Sequence, residues 1–534
     1  MTLMWERDFQ KPGRSEALGV HCMAATSHPF ATWSALQILR EGGNAVDAAV
    51  AAAAVLSVVE PTQTGIGGDC FALYMPHGAG PVYAMNGSGW APRGADTDWF
   101  IERGLSAIDP ASPHAVTVPG AVAAWERLVE DHGTFSLERL LAPAIRAAEE
   151  GYPVTERVAH DWHRQVAKLA ASPVAASIFL SNGAAPAAGT IHRQPQLAQA
   201  LRAIAAQGAA AYYKGWIAED IVSCLRRLGG LHTLDDFAAF EPEYVSPIHA
   251  AYRGYDIWEC PPNGQGVIPL LIARVLEHFD VGSLAVSGAQ RLHLIAEVAR
   301  LGYAVRDAVV GDPRTARLAV DELLGDRYVA ALAQQFSPTT RIANLAPPCE
   351  AAHRATVFLA VVDRNQNTVA FINSIFDEFG SGIVAPSSGV VLHSRGSGFV
   401  VEPGHPNTIA GRKRPLHTII PALLTRNGRA VMSFGVTGAH FQPTGQILLL
   451  SNLIDHGMSL QQAIDQPRFF ARGSSFEVER LISRQAVEGL LALGHAVVAT
   501  DDPLGTAQAI WIDWQTGVLH GGADGRRDGV ALEW

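Results

Sequence analysis

Hydrophobic positions along the chain follow two rhythms. From Pro29 to Glu41 the apolar residues Leu36, Ile38 and Leu39 keep helical spacing, and Gly42-Gly43 ends the run. Asn44 can cap the next segment, Ala45–Val59, which is apolar nearly all round and predicts a helix buried on most faces. Ala121–Val129, Ser136–Glu149 and Pro195–Ala206 predict amphipathic helices, with Ser136 as a cap, Gly151 as a stop and Pro195 at a first helical position. Further helices are expected over Leu270–Phe279, Ser287–Arg306, Ala319–Gln335, Thr444–Gly457, Ser459–Ala463 and Arg480–Gly494. Strands are expected over Gly19–Thr26, Phe71–Met75, Pro415–Leu424, Ala430–Phe434 and Ala507–Asp513, and around Tyr252–Trp258. Two β-type runs, Thr356–Val362 and Thr368–Ile375, flank the turn Asp363-Arg364-Asn365-Gln366-Asn367 and predict a hairpin. Helices precede and follow this central set of strands, a pattern that predicts a layered α/β domain.

Punctuation refines that picture. Phe336–Ala355 holds three prolines, many polar residues and no periodicity, and reads as an exposed linker ending where the hairpin begins. Pro61–Cys70 is a Gly-rich loop after a helix, without the Lys-Ser/Thr of a phosphate cradle, so close backbone packing is its expected role. Asn86–Pro92 lacks the Gly-x-Ser-x-Gly of a nucleophile elbow. His160 and His163 stand three apart on a predicted helix without a third ligand nearby, so no metal site is expected.

Composition sets the class. The 534 residues are 48% hydrophobic and 17% charged, a globular balance with room for a large core. A net charge of −11 argues against nucleic-acid or anionic-membrane partners, and the short basic run Gly411–Arg414 reads as a solvated loop. Cys22, Cys70, Cys224, Cys260 and Cys349 are widely spaced, with no Cys-x-x-Cys, so a reducing compartment is expected. Met1–Leu18 is charged and lacks a signal-like apolar core, and Ala48–Val59 is too short to span a bilayer, so a cytoplasmic location is expected.

Several motifs recur together in one family. Gly42–Ala49, Val59-Glu60-Pro61 with Gly65–Asp69, the Thr356–Asp363 strand, Phe379–Gly382, Lys413-Arg414-Pro415 and Gly435-x-x-Gly438 resemble the γ-glutamyltransferase family, in order, from about His21 to Trp534. Phe371–Ser374, Gly380–Gly382, Arg395-Gly396 and His417–Pro421 are most similar to its bacterial γ-glutamyltransferase-like branch, which includes acylases and oxamate amidohydrolase. The resemblance implies an N-terminal-nucleophile hydrolase with a four-layer αββα sandwich. It also implies a precursor that cuts itself before Thr356, giving a large subunit of residues 1–355 and a small subunit of residues 356–534 that stay associated. No cofactor is implied.

The implied chemistry is coherent. A Thr hydroxyl needs a base, and cleavage creates one on the same residue, an α-amine titrating near pH ~8. The family's supporting hydroxyl falls on Ser374, and its pair of oxyanion donors on Gly438-Ala439. The substrate positions depart from the family. Its carboxylate-binding Arg falls on Ser88, its Asn on Phe376, its Gln and Asp on Arg395 and Gly398, and its Ser-Ser pair on His417-Thr418. Without an anion at Gly398 a bound ammonium has no partner, whereas Arg395 favours an acid group or else forms a structural salt bridge. Three functions are thus expected to compete. They are cleavage of a γ-glutamyl compound of the glutathione type, cleavage of a small carboxylate-bearing amide such as oxamate, and a non-catalytic scaffold.

Overall fold

The computed structural model describes residues 13–316, 318–343, 345 and 355–534. Its centre is the predicted hairpin, Ala355–Val362 against Thr368–Phe376. Both strands are buried along their whole length, which explains their near-continuous β-branched and apolar sequence. They lie inside a seven-stranded antiparallel sheet ordered Val530–Glu533, Met23–Thr26, Ala355–Val362, Thr368–Phe376, Asp69–Met75, Tyr83–Gly87 and Glu243–Val245. A second seven-stranded antiparallel sheet runs Ala17–Gly19, Leu519–Ala523, Ala507–Ile512, Arg429–Val436, Ala422–Arg426, Tyr255–Glu259 and Ile248–Tyr252.

Strand alternation divides the core into three slabs. Phe358, Ala360 and Val362 join Phe71, Leu73, Ile372, Leu423 and Ile510 between the sheets. Val357, Leu359 and Val361 point the other way, into a core with the helices Pro29–Arg40, Ala45–Val59, Ala121–His132 and Leu137–Glu150. The second sheet's outer face packs on Val267–Leu276, Ala289–Val309 and Gln442–Ile454. Helix, sheet, sheet, helix is the four-layer αββα sandwich that the resemblance implied.

Ala45–Val59 is buried at every position, and Asn44 and Asp47 form a reciprocal capping box at its start. The hairpin turn reaches the same end, where Asp363 Oδ2 accepts from the Ala45 N–H at 3.0 Å. The Gly-rich loop packs as expected. A methyl group at Gly67 would overlap the Val391 carbonyl, and one at Gly68 the Ser374 carbonyl.

Several expectations are corrected. Gly19–Thr26 is not one strand, because Ala17–Gly19 and Met23–Thr26 belong to different sheets. Ala319–Gln335 breaks into Val320–Leu323 and Asp326–Ala333, with Gly325 between them. The apolar run from Pro415 is strand only from Ala422, since His417 and Ile420 spend their backbone groups on Asn263, Gln265, Gln442 and Gln446 instead of a ladder. Arg414, expected in a solvated loop, is buried, and its Nε donates to the Ser88 carbonyl at 2.9 Å. Tyr83–Gly87, Leu519–Ala523 and Val530–Glu533 were not anticipated as strands. Cys22, Cys70, Cys224 and Cys260 are free and buried, while Cys349 and half of the 336–355 linker lie outside the described residues.

Candidate active site

Alternation that sends Phe358 between the sheets sends Thr356 the same way. Ser374 shares the inter-sheet face with Ile372, and Asp69 with Phe71, so three neighbouring strands bring three polar side chains to one end of the slab. Thr356 Oγ1 lies 3.1 Å from Ser374 Oγ. Both hydroxyls donate to the carbonyl of Ala355, at 2.5 and 2.8 Å respectively, which uses both lone pairs of that oxygen. The Thr356 N–H donates to Gln63 Oε1 at 3.3 Å. In the continuous chain, therefore, the peptide bond preceding Thr356 has its nitrogen held by an amide and its oxygen polarised by two hydroxyls.

Arg395 sits behind this pair, fully buried. Its Nη2 donates to Ser374 Oγ at 3.1 Å and its Nη1 to Thr418 Oγ1 at 2.8 Å, and its guanidinium lies 4.2 Å from the Phe376 ring centroid. Its Nε is 3.7 Å from Asp69 Oδ2, which is the structural salt bridge set against acid binding in the expectations for Arg395. Burial pushes the guanidinium down to about 10, still cationic at neutral pH, with Asp69 opposing the fall.

Asp69 is the hub. Its Oδ2 accepts from His417 Nε2 at 2.9 Å and lies 3.2 Å from His393 Nδ1, while its Oδ1 accepts from the Gly89 N–H at 3.1 Å. Burial works against its charge, but His393 and His417 outweigh burial and hold the carboxyl well below the usual carboxylate range. Burial, with Arg395 adding to it, pushes His417 down to about 3, so this imidazole is neutral. Its Nδ1 accepts from the Ile419 N–H at 3.4 Å, which assigns the proton to Nε2.

The remaining expected residues frame the hub. Ser88 bonds with Asn263, whose Nδ2 reaches its hydroxyl at 3.0 Å, and Asn86 completes the group. Gly438 and Ala439 form the turn out of Arg429–Val436, with φ of 110° and 51°. Gln265 joins that turn to the rest, donating to the Thr418 carbonyl at 2.8 Å and the Ala439 carbonyl at 3.1 Å. Thr356, Ser374, Arg395, Thr418, Phe376 and His417 thus form one connected group. Ser88 and the Gly438-Ala439 turn border it through Asn263 and Gln265. His160 faces Asp502 elsewhere, on the Glu156–Arg164 helix.

Comparison with known proteins places this arrangement. The Gamma-glutamyltranspeptidase family model matches residues 31–534. The chain belongs to the γ-glutamyltranspeptidase family. It is 37% identical to the glutathione hydrolase-like YwrD proenzyme of Bacillus subtilis (strain 168), over 96% of this chain and 99% of that one. It is 34% identical to the oxamate amidohydrolase proenzyme of Klebsiella pneumoniae subsp. pneumoniae, over 97% and 99%. The crystal structure of cephalosporin acylase from Bacillus halodurans superposes with a TM-score of 0.91 at 35% identity, covering 99% of each chain. This γ-glutamyltranspeptidase-family chain is a hydrolytic enzyme rather than a scaffold.

Reading the residues had not assigned Asp69, His393, Gln63 or Gln265 to the site. Asp69 and Gln63 stand in the Gly-rich loop, where Asp69 ends a stretch that carries the family resemblance, and nothing in their spacing ties them to residues about 300 positions away. Among the described residues, one His/Glu cluster has ligand-like spacing, His293, Glu297 and His495 in the outer helix layer. Its groups already satisfy each other or neighbours, with His293 Nδ1 2.7 Å from His495 Nε2 and Glu297 paired to Arg300.

Proposed function

We propose that Thr356 cuts the chain at the Ala355–Thr356 bond and then serves as the nucleophile of an amidohydrolase acting on amides whose acyl part carries a carboxylate. In the first reaction Thr356 Oγ1 attacks the Ala355 carbonyl carbon, the C–N bond breaks, and an ester replaces the amide. Water then hydrolyses the ester, leaving a carboxylate on Ala355 and a free α-amine on Thr356. The contacts of Ser374 and Gln63 with this peptide bond support that role. In the second reaction the α-amine, titrating near pH ~8, takes the hydroxyl proton as Oγ1 attacks the substrate carbonyl. The Gly438 and Ala439 N–H groups receive the developing oxyanion. The amine product leaves with a proton, and water releases the acid.

Arg395 carries the substrate assignment. It is a buried cation one hydrogen bond from Ser374, whereas Ser88, on which the family's own carboxylate-binding Arg falls, bonds with Asn263. An oxamate amidohydrolase among the relatives supports a small acid amide. A γ-glutamyl substrate is the second reading, favoured by the glutathione hydrolase-like relative.

Ammonia release from oxamate should exceed product release from a γ-glutamyl anilide, and activity on the anilide alone would remove the small-acid reading. On a denaturing gel the 56.8 kDa chain should resolve into two bands. Thr356→Ala should stay uncut and inactive, and a wild-type chain still intact after long incubation would sink the cleavage proposal.

A further inference from the structure

Behind the Thr418 segment lies an acid that the site chemistry leaves unused. Glu259 ends the strand Tyr255–Glu259, opposite Ala422 and Ile248. Its neighbour Cys260 faces the slab between the sheets, and Glu259 faces the helices. It is wholly buried, and neither carboxyl oxygen has a hydrogen-bond partner among the described residues. A Cβ placed at Gly266 would lie 2.9 Å from its Cβ and 3.2 Å from Oε2, so its carboxyl is confined against the first turn of Val267–Leu276.

Gln446 reaches the same place, binding the backbone two residues before Ala422, the strand partner of Glu259. Gln446 and Gln442, one turn apart on Gln442–Ile454, hold the backbone of Ile420 from both sides. Gln446 Nε2 donates to the Ile420 carbonyl at 2.8 Å, and Gln442 Oε1 accepts the Ile420 N–H at 3.1 Å. That leaves Gln446 Oε1 buried without a donor. An ionised carboxylate offers only more acceptors, whereas a protonated one supplies the missing O–H.

We propose that Glu259 is a neutral, proton-bearing acid whose O–H donates to Gln446 Oε1 and so locks the Gln446–Ile420 contact that positions Thr418 and Arg395. The chain of contacts is short. Ile420 is two residues from Thr418, Thr418 accepts from Arg395, and Arg395 donates to Ser374. Glu259 is a positioning residue, and this role rests on the proposed work of Arg395 and Thr356.

The electrostatic surroundings agree. Burial pushes the Glu259 carboxyl well above the ordinary carboxylate range, with Gln446 opposing only in part. Gln442–Ile454 carries no charged residue, and Arg274, the one charge on Val267–Leu276, pairs at the surface with Glu277 and Asp326. On the flanking strands His249 is exposed and stacks on Trp258, Tyr252 binds Asp455, and Arg426 lies at the far strand end over Tyr255. Arg306, on Ala289–Val309, bonds to Gln265, Asp307 and His440. The Cys260 thiol is the neighbouring titratable group, itself pushed up by burial.

The test uses the full chain as wild type, E259Q and E259L. A wild-type-minus-E259Q infrared difference spectrum at neutral pH should contain a protonated carboxyl band, and a pair of carboxylate bands in its place would overturn the proposal. Raising the folded pKa of an acid gives stability that is complete below its unfolded pKa and lost as pH rises toward the folded value. The melting temperature of E259Q relative to wild type should therefore rise between pH 5 and pH 8, and parallel curves would overturn protonation. E259Q keeps a donor, so its self-cleavage and hydrolysis rates should stay near wild type. E259L should lose about tenfold in both rates through displacement of Thr418 and Arg395. An E259L protein with wild-type self-cleavage would overturn the positioning role. Self-cleavage needs no substrate, so an error in the substrate class alone would leave this readout intact.

Discussion

Asp69 concentrates the residue-scale consequences. Asp69→Asn would keep an acceptor for His417 but remove the charge beside Arg395, leaving a buried cation short of a counter-ion. About 3 kcal/mol of stability should be lost in denaturant melts. Hydrolysis should fall about a hundredfold, because a guanidinium displaced by 1 Å misplaces what it binds. A variant with wild-type kcat/KM would show that Arg395 is held by Ser374 and Thr418 alone. Thr356 differs in kind. Its strand position was readable from β-branched spacing, but its proposed chemistry rests on contacts with Ser374 Oγ at 3.1 Å and with the carbonyl that both hydroxyls share.

Among the elements, the Gly-rich loop and the central hairpin are mutually dependent. Gly68 passes so close to the Ser374 carbonyl that a single methyl group must move one of the two backbones. Gly68→Ala should destabilise the protein by about 1–3 kcal/mol and slow self-cleavage, read from melting and from the rate at which the two bands appear. Gly42→Ala, where no atom lies within 4 Å of the added carbon, changes only the local φ of +98°. It should cost roughly 1 kcal/mol without touching cleavage. The same contacts explain why Pro415–Pro421 is not a strand. Its apolar sequence satisfied a strand pattern, but its backbone groups are taken by side chains of Gln442 and Gln446 and by the loop around Asn263.

For the whole molecule, both proposed fragments contribute to one sheet. Ala355–Val362 pairs with Met23–Thr26, Thr368–Phe376 with Asp69–Met75, and the C-terminal Val530–Glu533 again with Met23–Thr26. Cleavage before Thr356 should therefore leave a single species on native sizing columns, separable only by denaturant. Global stability should also fall in acid. Burial pushes His192 down to about 4, packed 4.9 Å from the Trp162 ring. Below its unfolded pKa of about 6.5 the unfolded chain binds a proton that the folded chain refuses, so stability is lost as pH falls. His192→Phe should make the acid limb shallower by up to about 1.4 kcal/mol per pH unit between about pH 6.5 and 4, measured by melting at stepped pH. By itself the sequence determined the buried helix Ala45–Val59, the hairpin around Asp363 and the family motifs, because periodicity, caps and turns act over a few residues. Asp69, His393, Gln63 and Glu259 became meaningful only in the tertiary structure. A buried charge or proton is specified by the partners facing it, and here those partners arrive on separate strands and loops up to some 350 residues away in sequence. The same is true of the opening hairpin strand, where packing between the two sheets, rather than any local pattern, distinguishes Thr356 from an ordinary strand threonine.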